Sequence, residues 1–502
     1  MSLNPRPVRS RAVRLAGVAV VAALAVAACG NSDDDDAADP TTAATSPAAT
    51  AAPTDAPAPT TADPGTATTA PAATEPAGGD DTVPTTEPAG PAEPELGEFQ
   101  PLEGVPGVTD DTIGFAVMGT GAGNPMGYCL LACYADGVEA YLAYRNSIGG
   151  VHGRELVVTE IVDDELANTQ VKLLELIGKS DLFGIFAAPL LYTGFADVNA
   201  AGVPLYSTYV AASESGGMDG VFLPATPQCL DCTRQVLAYQ AKLGGATKVA
   251  SLGFGISQAS KDCVKYNEAT FDRWGPSLGI EFVYSNDTLP YGLPNGLAPE
   301  VTAMKDAGVD FITTCIDQNS VLALKQELQR QGMTDTHVLL PQGYADEAYI
   351  SGNADLLDGD VLGVLFRPFE ANSGDTMLAT MLEWFESTDA ELNDFTVQGW
   401  ISADMAVTGL LAAGPQFDRA SVIAATNQIT GYTAGGLLPP VNFPLWHDAP
   451  TPETIGDVSP LDCMATVIVR NGGFELAGDP DRPFDCWDPM AEEWADPVPT
   501  SF

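Results

Sequence analysis

The sequence predicts an α/β fold built as two doubly wound parallel-sheet lobes. Three observations point to it. From residue 112, short apolar runs alternate with segments of helical period, which is the pattern of βαβ units and a parallel sheet. After residues 221–226 that rhythm restarts, so the chain carries a second unit of the same kind. Residues from about 101 onward are numerous enough to fill two lobes of ordinary domain size.

In the first unit, strands are expected at 113–118, 155–162, 183–188 and 204–208. A helix with Val138, Tyr141, Leu142 and Ile148 on one stripe ends at Gly149-Gly150, a helix stop signal. Asn168 caps a helix carrying Val171, Leu174 and Ile177, and another helix covers 193–201. The second unit opens with a helix at 229–243, followed by strands at 248–254, 280–285, 311–316 and 337–342. Val321, Leu324 and Leu328 mark the helix between the last two strands. A strand at 361–367 precedes helices near 375–388, 397–413 and 418–428, and an extended stretch at 437–443 follows. The last signal is a hairpin of 465–470 with 474–476, where Asn471-Gly472 supplies the positive φ angles of a tight turn.

The ends of the chain concern address rather than fold. Arg6, Arg9, Arg11 and Arg14 precede an uncharged apolar run at 15–27, too short for a stable membrane span, so the segment reads as a cleaved signal. The run closes on Val26-Ala27-Ala28-Cys29-Gly30, which resembles a bacterial lipobox, in which the cysteine is acylated; residues 1–29 are therefore expected to be a lipoprotein signal ending at Cys29. Thr, Ala, Pro, Asp and Gly dominate residues 30–105, whose first branched apolar residue is Val83 and first aromatic Phe99. Too little apolar surface exists there to offset chain entropy, so a solvated linker is expected. No later segment is apolar enough to cross a bilayer, which leaves the lipid as the expected membrane attachment.

Charge narrows the partners. Of a net −46, the signal holds four arginines and no acid, and residues 31–100 hold 14 acids and no base, which leaves −36 on the remainder. That excess argues against nucleic acid and against anionic membrane surfaces.

Apart from Cys29, eight cysteines remain, an even number that suggests disulfides in an exported chain. Local pairs Cys129–Cys133, Cys229–Cys232 and Cys463–Cys486 and a longer Cys263–Cys315 link are expected, although sequence does not determine the connectivity. No thioredoxin-like unit surrounds Cys229-Leu-Asp-Cys232, so that pair reads as structural. No metal site is expected, since His152, His337 and His447 lack ligand spacing, and no cofactor is implied.

An enzyme is disfavoured as well. The chain has no Gly-x-Ser-x-Gly elbow, no His-Glu-x-x-His and no phosphate-loop Gly-Lys-Ser/Thr. Gly119-Thr-Gly-Ala-Gly123 lacks the third glycine at the spacing of a dinucleotide loop. Asp163 and Asp164 point apart and make no acid–base pair.

The stretch Asn146-Ser-Ile-Gly-Gly-Val-His-Gly-Arg-Glu-Leu156, followed by Asp163-Asp164, resembles the signature of type I periplasmic binding proteins of ABC importers, the branched-chain amino-acid-binding group. Gly202-Val-Pro-Leu205, residues 311–333 and Pro341-Gln-Gly343 fall where that group would put them, and the resemblance covers about 110–445. It implies three hinge crossovers near 222–227, 362–369 and 436–443. Lobe one is then 106–225 plus 366–438, lobe two 226–365 plus 439–490, and 491–502 a tail. A small-molecule ligand and an ABC permease are the implied partners, with the chain acting as a monomer. A sensor working through a separate membrane protein is the alternative.

In open α/β sheets ligands bind beyond the carboxyl ends of the strands. In lobe one that rule selects Tyr128, Tyr192, Thr193, Ser207, Thr208 and Tyr209. In lobe two it selects Ser257, Gln258, Asp317, Gln342 and Tyr344. One position departs from the family: its amino-acid binders carry a carboxylate after the proline matching Pro341, and here Gln342 stands there. Either Asp317 or Asp346 replaces that charge, or the ligand lacks an ammonium.

Overall fold

A computed structural model describes residues 99–502 except 122–123, 125, 209–215, 226–228, 230, 373–376 and 448. The signal, Cys29 and the linker up to residue 98 lie outside the described residues, as does Tyr209.

The first sheet contains β1 (Thr112–Gly119), β2 (Glu155–Asp163), β3 (Gly184–Ala188), β4 (Leu205–Ser207) and β5 (Val221–Phe222). All pairings are parallel, in the order β2-β1-β3-β4-β5. β1 lies in the interior of the sheet and is buried almost end to end, as its unbroken Ile113–Met118 run requires, whereas on the edge strand β2 only Leu156 is buried. Helices α1 (Leu131–Ser147), α2 (Thr169–Ile177) and α3 (Phe195–Ala200) connect the strands.

The second sheet repeats the plan. Helix α4 (Gln235–Leu243) leads to β6 (Lys248–Phe254), α5 (Gln258–Leu278), β7 (Glu281–Leu289), α6 (Ala298–Ala307), β8 (Phe311–Cys315), α7 (Gln318–Arg330), β9 (His337–Leu340) and β10 (Val361–Val364). The parallel order β7-β6-β8-β9-β10 reproduces that of the first sheet. The chain then returns to the first lobe. Helices α8 (Met377–Thr388) and α9 (Asp394–Ala413) both pack against α1, α10 (Arg419–Thr426) packs on α9, and the small ribbon of β11 (Thr430–Tyr432) with β12 (Val441–Asn442) follows. A third passage brings β13 (Asp462–Arg470) antiparallel onto β10, with β14 (Gly473–Leu476) and β15 (Phe484–Trp487) on β13. The three crossovers expected from the sequence are therefore present. Asn471 and Gly472 take φ values of 53° and 78° in the β13–β14 turn, as the Asn-Gly dipeptide predicts.

Residues 491–502, expected as a tail, behave otherwise. Val498–Thr500 forms β16 on the open edge of β15, and Phe502 packs its ring 5.6 Å from Phe484. The buried Arg367 in the second crossover donates to the Ser501 hydroxyl, to Gly436 O at 3.2 Å and to Ala371 O at 3.3 Å. One guanidinium thus ties the second crossover, the third connection and the residue that follows β16 together, because donors on a buried side chain need acceptors.

The α1–α9 contact fixes the floor of the site described below. A Cβ on Gly137 would stand 1.9 Å from Thr396 O, and one on Gly399 would stand 2.1 Å from Tyr134 O, so the two backbones touch where neither residue has a side chain. Trp400, fully buried, then wedges between Tyr141 (centroids 5.0 Å apart) and Tyr144 (5.6 Å). The four disulfides pair as expected: Cys129–Cys133, Cys229–Cys232, Cys263–Cys315 and Cys463–Cys486, the last joining directly opposed residues of β13 and β15.

Candidate ligand-binding cleft

The Asn-x-x-Gly-Gly segment acts on the scaffold. Asn146 donates its amide to Leu156 O and accepts from Leu156 N, both at 2.9 Å, which locks the end of α1 to the start of β2. A Cβ on Gly150, at φ 67°, would meet Arg154 O at 2.0 Å, so only glycine makes this turn. The acidic pair serves the loop after β1. Asp163 accepts from the Gly121 amide at 3.0 Å, and the fully buried Asp164 accepts from the hydroxyls of Thr120 (3.2 Å) and Thr169 (2.8 Å). These bonds hold the glycine-rich loop that delivers Tyr128 to the space between the sheets.

A cavity of about 320 Å³ opens there, within the range typical of small-molecule sites. Lobe one contributes Tyr128 and Leu130 from the β1–α1 loop, Tyr192 from the β3–α3 turn, and Thr208 just beyond β4. Lobe two contributes Pro341 and Gln342, which follow β9. Residues 362–366 of the second crossover form one wall, and the first turns of α9, with Asp394, Phe395 and Gln398, form another. Tyr128 stacks on Phe395 with centroids 4.9 Å apart and lines the cavity together with Gln342 of lobe two. Burial drives the Tyr128 hydroxyl well above its ordinary pKa, so it remains a neutral donor. Most of the remaining lining is apolar.

Among the described residues, Asp394 is the only one lining this cavity with a charged side chain. Its Oδ2 accepts the backbone N–H groups of Gly343 and Tyr344, each at 3.2 Å, so a lobe-one carboxylate reaches the loop after β9 in lobe two. Burial raises its pKa to about 7 against the opposing effect of those two bonds.

Of the residues anticipated from sequence, Tyr128, Tyr192, Thr208 and Gln342 come together around this cavity. The others have different occupations. Thr193 is exposed in the turn before α3, and the Ser207 hydroxyl, wholly buried, donates to Ala187 O at 2.8 Å. Ser257 caps α5, accepting from Ser260 N, while Gln258 is exposed and donates to Asp262. Asp317 caps α7, accepting from the Ser320 amide and hydroxyl. Asp346 caps a short helical turn, accepting from Tyr349 N at 2.9 Å. Both candidates for the missing carboxylate are thus committed to helix ends and do not line the main cavity. Tyr344 is buried behind it, donating to Glu370 at 2.8 Å among Phe366, Phe369 and Phe474. Asp394 and Phe395 fall before the helix expected from 397, and Gln398 lies within it with no local signal that it faces the cleft. Asn393, accepting from Phe395 N and Thr396 N, starts that helix three residues earlier, and an Asn cap before this run was the available signal.

Two doubly wound sheets of identical strand order, joined three times and enclosing a cavity lined from both sides, define a two-lobed binding protein. The chain belongs to the periplasmic binding protein family, whose model matches residues 112–453. Several solved structures share the fold. The branched-chain amino acid transporter substrate binding protein LivJ from Streptococcus pneumoniae, in complex with isoleucine, is 17% identical over 73% of this chain and 97% of its own, with a TM-score of 0.57. An ABC transporter substrate-binding protein from Desulfitobacterium hafniense in complex with Leu is 16% identical over 73% and 100%, with a TM-score of 0.55. A fatty acid ABC transporter substrate-binding protein from Thermomonospora curvata is 16% identical over 74% and 93%, with a TM-score of 0.54. No curated protein matches the sequence. Among the described residues no helix is long and apolar enough to cross a membrane.

Proposed function

We propose that this chain is an extracytoplasmic solute-binding lipoprotein, held to the membrane through Cys29, that captures a small organic solute between its lobes and presents it to an ABC permease. The observation that carries the reading is the inter-lobe cavity with apolar walls and, among the described residues, a single charged lining residue, Asp394. A ligand carrying an ammonium finds its counter-charge there, in place of the carboxylate that the family has at the position of Gln342. A free carboxylate would face no lysine or arginine among the described residues of that lining and would depend on backbone N–H groups. The expected solute is therefore an amino acid or an amide-like or aromatic relative. Ligand that touches both lobes favours the closed arrangement by its differential affinity for it, and the closed form is what a permease recognises. The same module coupled to a sensor protein would use the same step; pull-down of the ligand-loaded chain with its membrane partner separates the two. An exported enzyme has less support, since the described residues that line the cavity offer one carboxylate and no histidine, serine or cysteine.

Four compounds with one isobutyl tail test the ligand class: leucine, 3-methylbutylamine, 4-methylpentanamide and 4-methylpentanoate. Binding to the folded form alone raises the unfolding midpoint by mass action. Leucine and the amine are expected to raise it, the amide less, and the acid not at all. A rise with 4-methylpentanoate alone would remove Asp394 from the ligand site.

A further inference from the structure

A second cavity, of about 400 Å³, adjoins the hinge beside the cleft. Its walls take residues from each connection between the lobes: Pro224 and Ala225 from the first, Leu365 from the second, and Pro439 and Pro440 from the third. Pro224, Pro341, Gly363 and Leu365 line both cavities, so the two are separated by little more than the hinge itself.

We infer that this hinge cavity is a binding site for a second small molecule, uncharged, flat and largely apolar. Three features of the lining lead there. Trp446, Ile455, Leu461 and Met464 supply an apolar and aromatic surface that suits a flat body. Arg234 and Asp462 are the charged lining residues, and they neutralise each other: the Arg234 Nε lies 2.9 and 3.0 Å from the two carboxylate oxygens. No net charge is left for an ionic ligand. Finally, the walls are held in shape in advance, by six lining prolines and by the Cys229–Cys232 and Cys463–Cys486 disulfides, so little order has to be imposed on binding. Since all three connections form the walls, an occupant favours whichever lobe arrangement keeps them together, and cleft affinity is then linked to occupancy.

The test uses acetanilide, a neutral aromatic amide, titrated into the full chain by calorimetry and followed in parallel by tryptophan fluorescence. Saturable binding is expected, with a fluorescence change that Trp446→Phe removes. Leu461→Trp, at a side chain that is 44% exposed and tolerant of bulk, fills the cavity and is expected to weaken binding at least tenfold. Thr208→Phe, which narrows the cleft instead, should leave acetanilide affinity unchanged. Absence of saturation, or a loss on Thr208→Phe without one on Leu461→Trp, overturns the assignment. Failure of the leucine panel leaves this experiment intact, so the two readings fail separately.

Discussion

Asn in place of Asp394 removes a charge while keeping the acceptor oxygen that Gly343 N and Tyr344 N use, so the lobe-to-lobe contact survives. What is lost is a charge-assisted bond to an ammonium, worth about 1.5–3 kcal/mol, which is roughly a ten- to hundredfold loss of affinity for 3-methylbutylamine. The pH dependence sharpens the test. With a pKa of about 7 the carboxyl is largely protonated at pH 6 and ionised at pH 8, while the amine stays cationic throughout. Wild-type affinity for the amine should therefore rise through pH 7 by nearly tenfold between these limits, and the variant's should not move. Stability has the opposite sign. Because the folded pKa lies above the unfolded carboxylate value, the folded chain holds a proton that the unfolded chain releases between about pH 4 and 7. Asp394 thus favours the folded state at low pH and loses that advantage as pH rises through 7; Asp394→Asn should flatten this slope. Calorimetric titrations at pH 6, 7 and 8 decide the matter. Equal amine affinity in wild type and variant at all three values would refute the assignment of the counter-charge.

Other expectations concern the framework. Lys325 and Asp360 form a buried pair at 2.8 Å, so Lys325→Met strands a carboxylate at zero exposure and should cost about 3–5 kcal/mol, read as a shift in urea midpoint; adding Asp360→Leu should recover much of it. Replacing Cys263 and Cys315 by serine opens a loop of 52 residues and should cost about 4 kcal/mol, against about 2 for Cys129 and Cys133, whose separation is 4; differential thermal unfolding separates the two. Gly137→Val drives a side chain into Thr396 O and should both lower the melting temperature and weaken leucine binding, since α9 carries Asp394 and Phe395.

The strands and the two-unit plan were legible in the sequence because parallel strands buried on both faces read as near-continuous apolar runs, unbroken in residues 113–118 and interrupted only by Ser251 in 249–254. The site was only half legible. Tyr128, Tyr192, Thr208 and Gln342 follow from the strand-end rule, which depends on topology alone. Asp394, Phe395 and Gln398 come from a helix that returns to lobe one after a long excursion, so no local rule links them to β1 or β9. Ser207, Ser257 and Asp317 have the right chemistry for contacts but spend it on backbone groups, a competition that residue type cannot settle. The β16 strand was missed for a related reason: three residues of edge pairing carry too little period to register against a polar stretch.

Arg367 gives the last residues of the chain a mechanical role. Its guanidinium reaches Ala371, Gly436 and Ser501, so the hinge behaves as a laced joint whose tightening cord runs through residue 501. Any hand placed on that cord, whether a fused reporter, a trimmed terminus or a docked protein, pulls on the stiffness of lobe opening from the side away from the ligand.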